Sequence, residues 1–134
     1  MPSHKKPEAV LFDLDGTLVD TASEFVTVVQ QMRRARNLEE LADQSIRSVV
    51  SDGAAGLIAL AFNCAPGTPG FDELRDEFLN AYEDQLGSSA QPYEDLRVLL
   101  QELSLQHIPW GVVTNKMRRF AEPLMTAMAF APPA

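Results

Sequence analysis

Two carboxylates lie two residues apart where the first apolar run of the chain ends. The run Ala9 to Phe12 is followed by Asp13-Leu14-Asp15-Gly16-Thr17. A carboxylate at the end of a strand can attack phosphorus and form an aspartyl-phosphate, which divides hydrolysis into two easier steps. A carboxylate two residues further on lies on the same side of an extended segment, where it can protonate the leaving oxygen and later activate water. The other interpretation is a polar strand exit with Asp-Gly as a turn.

A second apolar run, Trp110 to Val113, ends at Thr114-Asn115-Lys116. A hydroxyl group there can bind a transferring phosphoryl group, although Thr before Asn is also a common helix cap. Lys116 either touches substrate or is a solvated lysine at a helix start. Thr114, Asn115 and Lys116 are therefore candidate substrate-binding residues.

Most of the chain between the two runs has helical spacing. Apolar residues predict helices over about 21–36, 54–62, 71–86 and 93–105, and another helix is expected from about residue 116. Thr21-Ala22-Ser23-Glu24 matches a capping box, in which the Thr21 hydroxyl and the Glu24 carboxylate satisfy amides at the helix start.

This order of elements predicts an α/β fold. Two buried strands joined by a crossover that ends in a helix imply a parallel, right-handed unit. Ligands bind beyond the carboxyl ends of such strands, so Asp13 and Thr114 are expected to face one crevice. Residues 1–19 and 88–134 then form a partial core. Residues 20–87 hold too many helices for a simple crossover and are expected to form a helical cap over the crevice.

The composition narrows the class of partner. The 134 residues include 11 basic and 19 acidic side chains, for a net charge of −8. This acidity argues against nucleic-acid binding and against a basic membrane-surface helix. No apolar run approaches the ~20 residues of a membrane span, and no signal-peptide pattern stands near the N-terminus. A lone Cys64 permits no internal disulfide, so we expect the cytoplasm.

The two candidate motifs resemble signatures of a known family. Asp13 to Thr17 resembles the first signature of the haloacid dehalogenase superfamily, and Val112 to Lys116 resembles the second, in a form typical of phosphoglycolate phosphatase-like members. Longer segments, 46–54, 61–62, 110–116 and 119–123, are similar to the bacterial N-acetylmuramic acid 6-phosphate phosphatases, which are often labelled phosphoglycolate phosphatases. The similarity runs from about residue 8 to residue 128.

The resemblance implies both an architecture and a cofactor. The core would be an incomplete Rossmann-like parallel sheet, and the cap would be the helical type inserted between the first two signatures. Mg²⁺ would be bound by a carboxylate oxygen of Asp13 and the backbone carbonyl of Asp15, in keeping with its preference for oxygen ligands.

The family also has a later lysine and an acidic motif that completes the metal site. Glu122 is the only acidic residue between Lys116 and Ala134, so nothing there matches these elements. We therefore expect residues 1–134 alone to bind Mg²⁺ weakly, to hydrolyse phosphomonoesters negligibly and to self-associate through an exposed sheet edge.

The leading hypothesis is a Mg²⁺-dependent phosphomonoesterase. Its substrate would be a small phosphorylated metabolite of the phosphoglycolate or N-acetylmuramic acid 6-phosphate type. Asp15 disfavours a dehalogenase, because breaking a carbon-halogen bond needs no acid for an alkoxide leaving group. Two alternatives stay open: a sugar-phosphate mutase, which shares the aspartate pair, and a non-catalytic remnant that binds a phosphate compound or a partner chain.

Overall fold

The protein is described by a computed structural model that covers residues 5–134. Residues 1–4, at the start of the predicted partial core, lie outside the described residues. The chain divides into two compact units. The first unit contains the residues up to Asp20 together with Gln91–Ala134, and the second, helical unit contains Thr21–Ala90.

A run of helices lies between the second and third strands, in the order expected of an inserted helical segment. In chain order the elements are β1 (Val10–Phe12), β2 (Val19–Asp20), α1 (Ala22–Ala35), α2 (Asp43–Arg47), a 3₁₀ turn (Val50–Asp52), α3 (Gly53–Phe62), α4 (Phe71–Gln85), β3 (Gln91–Pro92), α5 (Glu94–Leu105), β4 (Trp110–Val112) and α6 (Arg118–Met128). The predicted helices are confirmed to within about two residues at most ends, the usual uncertainty of a helix boundary. α2 was not predicted, because five residues are too few to establish a period.

The two predicted strands pair in parallel. Val10 of β1 lies opposite Trp110 of β4, and Phe12 lies opposite Val112. The prediction of a parallel unit is therefore confirmed. A second pair, β2 and β3, is antiparallel and joins the two chain segments that border the helical unit. It was not predicted, because strands of two residues carry no alternation that a sequence could reveal.

Aromatic rings cover one face of the β1–β4 sheet. The ring of Trp110 lies edge-on to Phe12 at 5.9 Å and to Phe130 at 5.6 Å, measured between centroids. The Trp110 indole also donates a hydrogen bond to the carbonyl of Pro132 at 3.1 Å. Alternate residues point to the other face, where Leu11 is 65% exposed and Val113 is 62% exposed. The first unit is therefore packed on one side of its sheet only.

The helical unit has a core of its own. α1 packs mainly on α4, and the ring of Phe25 stacks on Tyr82 at 4.5 Å and on Phe78 at 6.1 Å. Phe78 and Tyr82 are each only 2% exposed. Their helical spacing, which predicted one apolar face of α4, is thus accounted for by a buried aromatic stack.

The predicted capping box at the start of α1 is wrong. Thr21 is the N-cap residue, but its side chain makes no capping hydrogen bond. Its backbone, at φ −106° and ψ −2°, is close to helical instead of extended, and an N-cap side chain reaches the following amides from an extended conformation. The Glu24 carboxylate accepts a hydrogen bond from the Ser89 amide instead.

One segment of the described chain is long and apolar enough to cross a membrane, contrary to the expectation from the sequence. It comprises residues 43–62, and its mean hydropathy reaches 1.3. Length and composition are weak evidence here, since core helices of water-soluble proteins meet the same criteria. The segment is also not one regular helix: it consists of α2, the 3₁₀ turn and α3, and Gly53, the first residue of α3, has a φ of +72°.

Candidate active site

The aspartate pair lies on a tight turn that begins where β1 ends. The Leu14 carbonyl accepts hydrogen bonds from the amides of Leu18 and Val19, both at 3.1 Å. Gly16 donates its own amide to the Val19 carbonyl at 2.9 Å, with a φ of +77°. A side chain at that φ would be strained, so the turn requires glycine at this position. The turn reverses the chain directly after the two carboxylates.

The two carboxylates have different surroundings. Asp13 is exposed, and its Oδ1 accepts a hydrogen bond from the Leu14 amide at 2.8 Å. The Asp15 side chain is 29% exposed and accepts a hydrogen bond from Lys116. Buried Leu14 separates them, with its own side chain fully inside the unit. Asp13 is thus open to a reactant, whereas Asp15 is already paired with a cation.

The parallel register brings the second motif to the same edge of the sheet. Phe12 lies opposite Val112, and the Val113 amide donates to the Phe12 carbonyl at 2.9 Å. Asp13 and Thr114 therefore follow neighbouring strand ends. They stand at the carboxyl edge, where a parallel sheet places its ligands.

Lys116 reaches from the second motif to the first. Its Nζ lies 2.9 Å from Oδ1 of Asp15, and the Lys116 side chain is only 6% exposed. The Thr114 hydroxyl oxygen accepts the Lys116 amide at 3.0 Å, a local turn that fixes the direction of the lysine. The interpretation of Lys116 as a solvated lysine at a helix start is wrong, because the ion pair holds its side chain inside.

The remaining candidate, Asn115, follows Thr114 directly in the chain. It is exposed, and among residues 5–134 no hydrogen bond joins its side chain to either carboxylate. Of the five predicted site residues, the structure thus links Asp15 to Lys116, and through the local turn to Thr114. Asp13 neighbours them along the sheet edge.

The oxygen donors at this edge match part of a magnesium site. Mg²⁺ favours about six oxygen ligands, commonly one or two of them carboxylates, with water supplying several others. Asp13 presents an exposed carboxylate, which is a suitable donor. Within residues 5–134, however, no group of three or more His, Cys, Asp or Glu side chains converges on one point. The described residues therefore supply only part of the ligands that a Mg²⁺ ion requires.

Comparison with known proteins agrees with the two signatures. The profile of the haloacid dehalogenase-like hydrolases matches residues 10–131. The N-acetylmuramic acid 6-phosphate phosphatase of Pseudomonas aeruginosa is 43% identical over 124 residues, which is 92% of this chain and 55% of that protein. A phosphoglycolate phosphatase of Xanthomonas campestris is 37% identical over 92% of the chain and 56% of its own length.

A similar fold is found among solved structures. A predicted phosphoglycolate phosphatase from Haemophilus somnus superposes with a TM-score of 0.76 at 23% identity, covering 92% of this chain and 58% of its own. The chain spans about half the length of the curated relatives it matches. The resemblance seen in the sequence is confirmed, and the chain belongs to the haloacid dehalogenase-like hydrolase family.

Proposed function

We propose that this chain carries the nucleophile, the acid-base residue and part of the phosphate site of a phosphomonoesterase. The observation that carries the proposal is the meeting of two motifs at one sheet edge, where Lys116 Nζ lies 2.9 Å from Asp15 Oδ1. The names of the relatives, phosphatases of N-acetylmuramic acid 6-phosphate and of phosphoglycolate, support this reaction class. The substrate would accordingly be a small phosphorylated metabolite of one of these types.

In this proposal Asp13 is the nucleophile. Its exposed carboxylate attacks phosphorus, the bond from phosphorus to the leaving oxygen breaks, and an aspartyl-phosphate forms. Asp15 donates a proton to the leaving oxygen and later takes one from the water that hydrolyses the intermediate. The tight turn at Gly16 holds the two carboxylates in a fixed relation.

The second motif would bind the phosphoryl oxygens. The Thr114 hydroxyl oxygen already accepts the Lys116 amide, which leaves its proton to donate to an anion. Lys116 adds positive charge close to Asp15, and Asn115 is exposed at the same loop. These groups would stabilise the negative charge of the phosphoryl group during its transfer from the leaving oxygen to Asp13.

Mg²⁺ is proposed as the cofactor, as in the family that the motifs resemble. Asp13 and the backbone carbonyl of Asp15 would hold it, and the bound ion would screen the negative charge of the phosphate. Because the described residues supply only part of its ligands, residues 1–134 alone are proposed to be inactive.

The proposed compartment is the cytoplasm. The lone Cys64 supports it, because a single thiol fits a reducing compartment.

The proposal is tested in a joined protein. This protein consists of residues 1–134 followed by the part of the Pseudomonas aeruginosa relative that the match does not cover. We expect Mg²⁺-dependent release of phosphate from N-acetylmuramic acid 6-phosphate or phosphoglycolate, and none from residues 1–134 alone. Interconversion of a hexose 1-phosphate and 6-phosphate without phosphate release would favour the mutase. A folded joined protein without either activity would favour the non-catalytic remnant.

A further inference from the structure

A lysine side chain that is almost fully buried holds the second aspartate of the candidate site. The Nζ of Lys116 lies 2.9 Å from Oδ1 of Asp15, and the lysine side chain is only 6% exposed. Both residues belong to the first unit, although 101 positions separate them along the chain. Burial removes the hydration of an ammonium group, so a buried lysine needs a partner of opposite charge. The carboxylate of Asp15 is that partner.

Both partners are also held through the backbone. The Thr114 hydroxyl oxygen accepts the Lys116 amide at 3.0 Å. The backbone of Asp15 forms an isolated bridge with Val19, and the Gly16 amide donates to the Val19 carbonyl at 2.9 Å. Because its backbone and its side chain are both restrained, the Asp15 carboxylate is held in a defined orientation.

The position of the lysine bears on what it can do in the reaction. The exposed carboxylate at this edge of the sheet is Asp13, whereas the ammonium group of Lys116 is shielded and already faces Asp15. A phosphate that drew the lysine to itself would have to break a hydrogen bond between two charged groups, which is among the stronger kinds in proteins. Lys116 therefore reaches the reaction more directly through Asp15.

We propose that Lys116 is a positioning residue for Asp15. Beyond the charge that it adds to the site, it holds the carboxylate in the orientation needed for proton transfer, and this inference rests on the proposed function. Asp15 gives a proton to the leaving oxygen as the bond from phosphorus to that oxygen breaks. It takes a proton from water when water displaces the Asp13 oxygen from phosphorus. A misplacement of a catalytic group by about 1 Å can cost about 10²-fold in rate.

The joined protein with p-nitrophenyl phosphate separates the two steps. The leaving group of this substrate needs no proton, so formation of the aspartyl-phosphate does not require Asp15, whereas its hydrolysis does. In Lys116→Met we expect a burst of p-nitrophenol stoichiometric with the enzyme. The release that follows should be slower than in the unsubstituted protein by about 10²-fold, the effect of a misplaced catalytic group.

A matched control and two opposite outcomes define this test. Arg118→Met removes an exposed cation two residues further along and is expected to change neither step. Slow release without a burst in Lys116→Met would mean that the lysine acts on the phosphoryl group by its charge alone, and would overturn the inference. Unchanged release would overturn it as well. An unsubstituted joined protein without activity would overturn the proposed function, and the inference with it.

The reactivity of the Lys116 amine in residues 1–134 provides a test that needs no activity. Reductive methylation followed by peptide mass spectrometry compares it with the amine of Lys6, an exposed residue. We expect Lys116 to react at least about tenfold more slowly, the lower end of what a hydrogen bond to a charged group contributes. Asp15→Asn should remove most of this protection, whereas Glu122→Gln should leave it unchanged. A Lys116 amine as reactive as that of Lys6 in the unsubstituted protein would overturn the inference, even if Lys116→Met does not fold.

Discussion

The helical unit and the first unit, called the sheet unit because it contains the β1–β4 sheet, bury their apolar residues in different ways. In the helical unit, Phe25, Phe78 and Tyr82 form one stack within the unit's own core. In the sheet unit, rings cover one face, and the opposite face exposes Leu11 and Val113. A parallel sheet normally has both faces covered. The candidate catalytic residues thus belong to the unit whose packing is less complete, and the helical unit is the more self-sufficient of the two.

Because of this difference, the residues proposed for catalysis and the residues that stabilise the helical unit are different residues. Asp13 is exposed at the sheet edge, so its replacement removes a reactive group and little packing. Phe78 is buried, so its replacement removes packing and no reactive group. Substitutions in the two units should therefore have opposite profiles, strong in turnover for one and strong in unfolding for the other.

The largest effect is expected at Asp13. In the joined protein, Asp13→Asn should reduce turnover to the background rate, because an amide oxygen is a far poorer nucleophile than a carboxylate. The melting temperature should hardly change, since the two side chains are nearly isosteric. Asp72→Asn, at an exposed position of α4, is the matched control and should keep full activity. Substantial turnover in purified Asp13→Asn would contradict the assignment.

Phe78→Ala should have the reverse profile. Truncating a buried Phe costs about 3–5 kcal/mol of stability, and here it also breaks the stack with Phe25 and Tyr82. Hydrogen exchange of the α1 and α4 amides during chemical denaturation should show the loss in the helical unit, while Trp110 fluorescence reports the sheet unit separately. Equal loss in both units would show that the two cores are not independent.

Lys116→Met is expected to have an intermediate effect. It leaves Asp15 without its cation, and a hydrogen bond to a charged group contributes about 1.5–3 kcal/mol. Arg118→Met is the matched control, since its ion pair with Glu122 is largely exposed and such pairs contribute about 0.2–1 kcal/mol. Denaturation midpoints of the two variants measure the difference. If both variants lost equal stability, the Lys116–Asp15 pair would be no stronger than a surface contact.

The smallest effect on stability is expected on the open face of the sheet. The double substitution Leu11→Thr and Val113→Thr should change the free energy of unfolding by within about 0.5 kcal/mol per site. We propose that residues 1–134 self-associate, and the double substitution should reduce that association, because it removes apolar surface that is more than half exposed. Analytical ultracentrifugation checks this. An unchanged association constant would mean that this face is not where copies meet.

The sequence was sufficient to predict most of the helices, the two parallel strands and the sheet edge at which the candidate residues lie. Apolar runs and helical spacing are local signals, and a parallel crossover then places Asp13 and Thr114 at neighbouring strand ends. The roles of Lys116 and Glu24 could not be predicted in the same way. Their partners Asp15 and Ser89 lie 101 and 65 residues away, and only the tertiary fold selects them from the other polar residues.

A trapped intermediate tests the central claim most directly. With p-nitrophenyl phosphate as substrate, whose leaving group needs no proton, the joined protein carrying Asp15→Asn should still form the aspartyl-phosphate but hydrolyse it slowly, because the base that activates water is missing. Reaction with substrate, followed by borohydride, reduces an aspartyl-phosphate to homoserine, which peptide mass spectrometry locates. The account predicts homoserine at position 13 and nowhere else. Homoserine at another position, or none while phosphate is released in a burst, would contradict it.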